Sequence, residues 1–217
     1  MRAGNLLFLC AVFAASAMAQ PARVDGPTVK VGDVWMYNTL NGWTGELAYV
    51  SVNTVKKISG GDIVMESTSL DRSIVSKILR NRDFNLVRIE APTFTRSTLP
   101  YYPNYAFPLQ VGKTWKQEVD FADTRQPDKK IRAKLEGRVV GWESVTVPAG
   151  NFLALKIEVK GWYSAPNTGG SWSGRIEDAL WYAPEVRNAV RYEYTDTTDS
   201  QRYNHEVHEL VRYWLIP

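Results

Sequence analysis

The sequence predicts an all-β fold, a single curved antiparallel sheet forming a half-barrel or open barrel. Short runs rich in Val, Ile, Thr, Tyr and Trp are separated by Gly, Asn, Asp and Pro turns. Several runs alternate apolar and charged residues with period two, the mark of a half-buried antiparallel strand. No stretch sustains a helical period over about 12 residues. A two-sheet β-sandwich satisfies the same alternation and is the alternative fold.

The elements follow in order. Val34 to Leu40 meets Asn41-Gly42, and a second run leads from Trp43 to Val55. Asn-Gly between two such runs predicts a tight hairpin with left-handed backbone at Gly42. Gly60-Gly61 predicts another hairpin, leading into Ile63-Val64-Met65. Ile74–Leu79 and Phe84–Ile89 read as strands set off by Asp71-Arg72 and Asn81-Arg82-Asp83. Residues 91–110 break the rhythm: Pro100, Pro103 and Pro108 argue against a regular strand, so this stretch reads as a connecting segment packed down by its aromatics.

Lys113–Phe121 resumes the pattern. Beyond it Ile131, Ala133, Leu135, Gly137 and Val139 alternate with Lys130, Arg132, Lys134, Glu136 and Arg138. Gly141 suggests a bulge. Pro148-Ala149-Gly150-Asn151 suggests a turn with left-handed backbone at Gly150. Ile176–Tyr182, Ala189–Tyr194 and Tyr203–Leu215 bring the total to about ten or eleven strands. Val31-Gly32-Asp33-Val34-Trp35 and Val111-Gly112-Lys113-Thr114-Trp115 share V-G-x-x-W, which fits either two weakly similar halves, about 29–90 and 109–217, within one β domain, 20–217, or simply a turn that suits entry into a strand.

Arg2, the apolar run Leu6–Ala15 and Ala17-Met18-Ala19 form a secretory signal, with cleavage expected after Ala19. The run is too short for a membrane span of about 20 residues, so the mature chain is expected to be periplasmic or secreted and not membrane-spanning. Cys10, the only cysteine, follows Leu9 inside the apolar run, which is not a lipidation context. It leaves with the signal, which excludes thiol catalysis, cysteine metal sites and disulfides. With 26 basic and 23 acidic residues interspersed, there is no basic run for nucleic acid.

Motifs for chemistry are sparse. Gly169-Gly170-Ser171-Trp172-Ser173-Gly174 lacks the closing glycine of G-x-S-x-G and reads as a hairpin tip between strands. His205 and His208, the only histidines, fall on opposite faces of a strand, so no metal site is expected. Glu46, Glu66, Glu177 and Asp178 are candidate carboxylates for a hydrolase, but nothing in the pattern singles out a pair. No nucleotide-binding glycine motif occurs and no cofactor is expected.

Val145-Thr146-Val147-Pro148-Ala149-Gly150-Asn151-Phe152, Trp181-Tyr182-Ala183-Pro184 and Phe107-Pro108-Leu109-Gln110-Val111-Gly112-Lys113-Thr114-Trp115 together resemble a family of exported bacterial proteins without an assigned activity. The resemblance covers about residues 107–195 and implies half-barrels like those of lipoprotein carriers. This chain departs from the family at Val186-Arg187-Asn188-Ala189, where glycine usually follows the Trp-Tyr-Ala-Pro. The expected function is that of a non-enzymatic exported binding protein for a lipid or other apolar molecule, with Tyr101, Tyr102, Tyr105, Phe107 and Trp172 as ligand contacts. An envelope protein-interaction module and a hydrolase with dispersed carboxylates are the alternatives.

Overall fold

Twelve strands follow one another along the chain, and each pairs antiparallel with the next. They are β1 Val34–Asn41, β2 Leu47–Ser59, β3 Asp62–Ser69, β4 Ile74–Arg80, β5 Leu86–Ala91, β6 Phe94–Tyr102, β7 Thr114–Asp123, β8 Ile131–Val147, β9 Gly150–Asn167, β10 Gly170–Ala183, β11 Asn188–Thr198 and β12 Gln201–Trp214. The computed structural model describes residues 20–167, 170–198 and 201–217; the expected signal segment lies outside them. The one helical element among the described residues is a 3-10 turn, Pro184–Val186. No described helix is long and apolar enough to cross a membrane.

Neither a half-barrel nor a sandwich forms. β1 pairs with β12 from Val34↔Trp214 to Asn41↔Glu206, and this seam closes the sheet into a barrel. Closure removes the two rows of unpaired N–H and C=O groups that an open sheet would leave along its edges. The strand missing from the sequence reading is β6. Its Pro100 escapes the proline rule because the ladder to β7 ends at Leu99↔Asp120, while that to β5 skips from Ser97 to Tyr102. Pro100 therefore has no ladder N–H to lose.

The hairpin signals were met unevenly. Gly60 and Gly61 both take positive φ in a two-residue turn closed by Ser59↔Asp62. Gly150 is left-handed too, and Val147↔Gly150 closes another two-residue turn. At Asn41-Gly42 the expectation fails: the loop is longer, and the left-handed residue is Gly45. The Asn41 carboxamide accepts from the Trp43 and Thr44 N–H groups, an Asx turn that replaces the tight hairpin. Gly42 is needed for close approach instead, since a Cβ there would meet the His205 ring at 2.3 Å.

The two V-G-x-x-W segments make the same turn. Gly32 and Gly112 are both left-handed, and their N–H groups donate to Val55 O and Val139 O, each at 2.9 Å. Each segment starts a strand and ties it to the strand that follows.

Side chains alternate along every ladder, and paired residues share a face. One end of the barrel is filled. Trp35, Phe84, Leu109, Leu155, Ile157, Leu180, Tyr182 and Leu210 are buried there, each contributing roughly 1.5–3 kcal/mol on burial. The β6–β7 connection turns in beneath them. Asn85 Nδ2 donates to Tyr105 O and the Tyr105 N–H donates to Asn85 Oδ1, at 2.9 and 2.8 Å. Tyr105 stacks on Phe107, and both rings meet Tyr182 edge-on. Beyond a bulge between Val139 and Gly141, the β8–β9 hairpin packs against β12, where the Ala149 N–H donates to Leu210 O and Phe152 meets Tyr213.

At this filled end Asp33 clasps the segment before β1 to the segment after β12. Its carboxylate is fully buried and accepts from the Lys30 N–H, the Ile216 N–H and Arg187 Nη1 at 2.9, 2.7 and 3.1 Å. Arg187, in the turn that follows Trp181-Tyr182-Ala183-Pro184, holds the left-handed conformation, φ +59°, that glycine would adopt freely. Its bonds to Asp33 and to Ile216 O offset that strain.

Candidate functional site

The other half of the lumen, the cup, is lined in part by side chains that are only partly buried. Ile78, Ile89, Phe121 and Ile131 line one wall, and Tyr192, Tyr194, Asp196, Glu206 and His208 line the other; all are only partly buried. The contrast with the buried lower half marks a solvent-accessible mouth. The first wall also carries Thr98, Arg96 and Asp123, in register with Phe121 and Ile89, and the second carries hydroxyl, carboxylate and imidazole groups.

Asp178 anchors the polar side. It sits at an apolar-face position of β10, between Ile176 and Leu180, and is 2% exposed. Its Oδ2 accepts from the Tyr102 hydroxyl at 2.7 Å and the Tyr192 hydroxyl at 3.2 Å. Oδ1 is buried with no partner. Tyr102 arrives from β6, so its bond spans the lumen and forms the cup's floor.

Asp196, one step nearer the mouth, accepts from the Tyr163 hydroxyl at 2.6 Å and the Tyr194 hydroxyl at 3.3 Å. Tyr163 reaches it by lying across Gly174, where a Cβ would come within 2.2 Å of the phenol. Beside them Tyr192 stacks on His208, which bonds Thr39 at 2.9 Å and approaches Glu206 at 3.4 Å.

Burial pushes the Asp178 carboxyl up to about 8, against the pull of its two phenol donors and with the nearby Asp196 adding to the rise. Burial raises Asp196 as well, opposed by Tyr163 and Tyr194. Burial and then the Asp178 charge hold the Tyr102 and Tyr192 phenols well above their usual range. Glu206 goes the other way, lowered chiefly by its bond to His208. Asp178 is therefore a neutral acid at pH 7. With two hydroxyls donating to Oδ2, its proton belongs on the unpartnered Oδ1.

The residues picked from sequence are distributed between floor, plug and wall. Tyr102 is buried in the floor, while Tyr101 beside it stays partly exposed. Tyr105 and Phe107 belong to the plug, with their rings on Tyr182. Trp172 lies within β10, not at a loop tip, and meets Tyr163 edge-on at 5.3 Å; residues 168–169 of the expected loop lie outside the described residues. His205 faces outward against Trp43 and His208 faces the lumen, so one strand sends the two rings to opposite faces.

Of the four candidate carboxylates, Glu46 sits in the β1–β2 loop, Glu66 pairs with Lys56 and Glu177 with Arg175 at the exposed surface, and Asp178 alone is inside. They do not converge. The sequence reading missed Tyr163, Tyr192, Tyr194 and Asp196. Tyr192-x-Tyr194-x-Asp196 puts three polar groups on one strand face, and Ile176-x-Asp178-x-Leu180 puts a carboxylate on an apolar one; both patterns are visible in the sequence.

Fold and site together define an up-and-down antiparallel barrel, filled at one end and cupped at the other. No protein-family model and no curated protein matches the chain. Among solved structures it is similar to a protein from Bacteroides fragilis described as exported and as having a YmcC-like fold. The two share 17% identity over 88% of this chain and 99% of that one, at a TM-score of 0.53. It is also similar to a protein from Parabacteroides distasonis described as a lipoprotein, with 16% identity over 90% of this chain and 100% of that one and a TM-score of 0.52. At such identities the likeness is one of fold alone.

Proposed function

We propose that the chain is an exported, non-enzymatic binding protein whose cup holds an amphiphile, the apolar part on Ile78, Ile89, Phe121 and Ile131 and the polar part toward Asp178 and the tyrosines. The observation that carries this reading is a partly exposed lumen, lined by both apolar and polar side chains, above a filled core. Two of the ligand contacts expected from sequence, Tyr105 and Phe107, have less support, because their rings are taken up by Tyr182.

Export is supported by the leader at 1–19 and agrees with the descriptions of the two fold relatives. A soluble barrel fits the outer face of β7 and β8, where Lys116–Glu136, Lys134–Glu118 and Arg132–Asp120 form cross-strand ion pairs. Such charges are costly against lipid. Expressed with its own leader in a bacterium, the mature protein should begin at Gln20 by N-terminal sequencing; an intact Met1 would remove the export argument.

Binding is tested with a neutral fluorescent probe, N-phenyl-1-naphthylamine, and by native mass spectrometry of protein purified from its own host. Saturable micromolar binding is expected, weakened about tenfold or more by Phe121→Ser and Trp172→Ser. No saturable signal and no retained mass would put the protein-interaction reading ahead. That reading has its own support on the outer face of β1–β4, where Met36, Val52, Thr68 and Val75 are in register and Val75 is about half exposed, as is Trp214 beside it on β12 across from Val34.

A further inference from the structure

Closure of the barrel leaves one short stretch of strand edge without a neighbour. β7 pairs with β8 from Thr114↔Arg138 to Phe121↔Ile131. With β6 it pairs only from Arg96↔Asp123 to Leu99↔Asp120. Beyond Leu99, β6 stays with β5, where Tyr102 faces Leu86, and the Tyr102 hydroxyl is tied to Asp178 inside the lumen. The two strands part, and no residue is in register with Thr114–Val119 on that side. The alternation of the backbone decides which groups are left over. Lys113 O accepts from the Val139 N–H of β8, and the Thr124 N–H donates to Thr95 O of β6. β7 carries no bulge in either ladder, so its odd residues direct N–H and C=O to β8 and its even residues direct theirs toward β6. Thr114, Lys116 and Glu118 therefore turn their main-chain groups to the open side.

The connection that follows β6 does not replace the missing strand. Trp115, on the lumen face opposite Gly137, donates from Nε1 to Pro103 O at 2.8 Å and so holds the connection on the inside. Among the described residues the connection makes no main-chain bond to Thr114–Glu118. Gln117 Nε2 donates to Glu118 O at 2.9 Å, a side chain serving a carbonyl that a neighbouring strand would take. On the outer surface the gap is a groove of about 430 Å³, lined by Leu99, Pro100, Glu118, Asp120 and Arg132, with Leu99 55% exposed. A free edge beside a groove is a template for an added strand. Its outer row of side chains sets the chemistry of that strand. Lys116 and Glu118 are answered on the β8 side by Glu136 and Lys134, at 3.4 and 3.3 Å. An antiparallel strand on the open side meets the same row and fits best in the same order, Lys opposite Glu118 and Glu opposite Lys116.

We propose that Thr114–Glu118 is a docking edge for an extended segment of a partner protein, laid antiparallel to β7 with a Lys-x-Glu sequence facing Glu118 and Lys116 and its leading end against Leu99. The added strand takes over the bond that Gln117 makes to Glu118 O and fills the break in the wall. The site lies on the outer wall, apart from the cup, and does not rest on what the cup binds.

The test is amide hydrogen exchange, read by NMR on the mature protein alone and with a synthetic peptide of residues Ala133–Val139, the stretch of β8 that faces the same row from the other side. In the free protein the Lys116 and Glu118 amides should exchange at least about tenfold faster than those of Gln117 and Val119, which bond to β8. The peptide should slow the first pair and leave the second unchanged, saturating at roughly 10–100 μM. The same peptide with Lys134→Glu and Glu136→Lys should bind about tenfold more weakly. In the protein, Lys116→Pro removes an edge N–H and no bond to β8, so it should abolish peptide binding and keep the melting temperature within about 3 °C of wild type. Should that variant fail to fold, the exchange contrast in the wild type still decides the matter.

Equal protection of all four amides in the free protein overturns the open edge. Protection that disappears on dilution makes the occupant a second copy of this chain and overturns the partner assignment. Equal binding of the two peptides, undiminished binding to Lys116→Pro, or no saturation up to about 1 mM overturns strand addition by a Lys-x-Glu segment.

Discussion

Replacing Asp33 by Ala should lower the unfolding free energy by about 3–5 kcal/mol, as expected when one partner of a buried ion pair is removed. The carboxylate is fully buried and gathers three donors that come from distant parts of the chain: the turn before β1, the segment after β12 and the turn after β10. Its loss leaves the Lys30 and Ile216 N–H groups without acceptors and an Arg187 charge without a partner, at the point where the β1–β12 seam begins. Arg187→Gly is the matched control. It gives up one donor, from a side chain that is 24% exposed, and relieves the left-handed φ, worth roughly 1 kcal/mol. Urea melts should therefore rank wild type, Arg187→Gly and Asp33→Ala in that order, with similar m values for all three. An Asp33→Ala protein within about 1 kcal/mol of wild type would show that the clasp does not hold the barrel shut.

Much of this barrel was legible because its strands keep period two. Lys130–Val139 alternates in the sequence, and β8 alternates in burial over the same residues. Closure was not legible, because it depends on pairing between residues as far apart as Val34 and Trp214, and no local pattern encodes that register. Pro100 hid a strand, since a rule about ladder donors holds only where a ladder exists. Asn41-Gly42 misled in a similar way: the carboxamide of Asn41 made an Asx turn, and Gly42 served the His205 ring.

The site divided along the same line. Aromatic segments near the prolines were visible as apolar mass, but whether they line a cavity or fill it is decided by tertiary packing, and Tyr105 and Phe107 fill it. Asp178 was only one of four equivalent carboxylates until its partners on β6 and β11 were known. Its place between Ile176 and Leu180 was the clue in the sequence, because burying a charge on an apolar face is too costly without a purpose.

That cost has a measurable consequence for stability against pH. In the folded barrel the Asp178 carboxyl keeps its proton up to about pH 8, whereas in the unfolded chain it releases it near the ordinary aspartate value of 3.8. Between those limits the native state binds more protons than the unfolded state, so stability falls as pH rises. The loss from Asp178 should amount to a few kcal/mol between pH 5 and pH 8; Asp196 is raised as well, so its contribution carries the same sign. Glu206 and Asp123 are shifted down, so the stability they contribute is lost only as pH falls below the ordinary carboxylate range, outside this window. Asp178→Asn removes the titrating group and keeps a carbonyl oxygen for Tyr102 and Tyr192. Its melting temperature should therefore fall much less than that of the wild type between pH 5 and pH 8, and the two curves should diverge most at pH 8, where the variant is the more stable protein. The contribution of every other group largely cancels in that comparison. Parallel curves for the two proteins would mean that Asp178 is ionised in the folded state at neutral pH, and the proton assigned to Oδ1 would have to be abandoned.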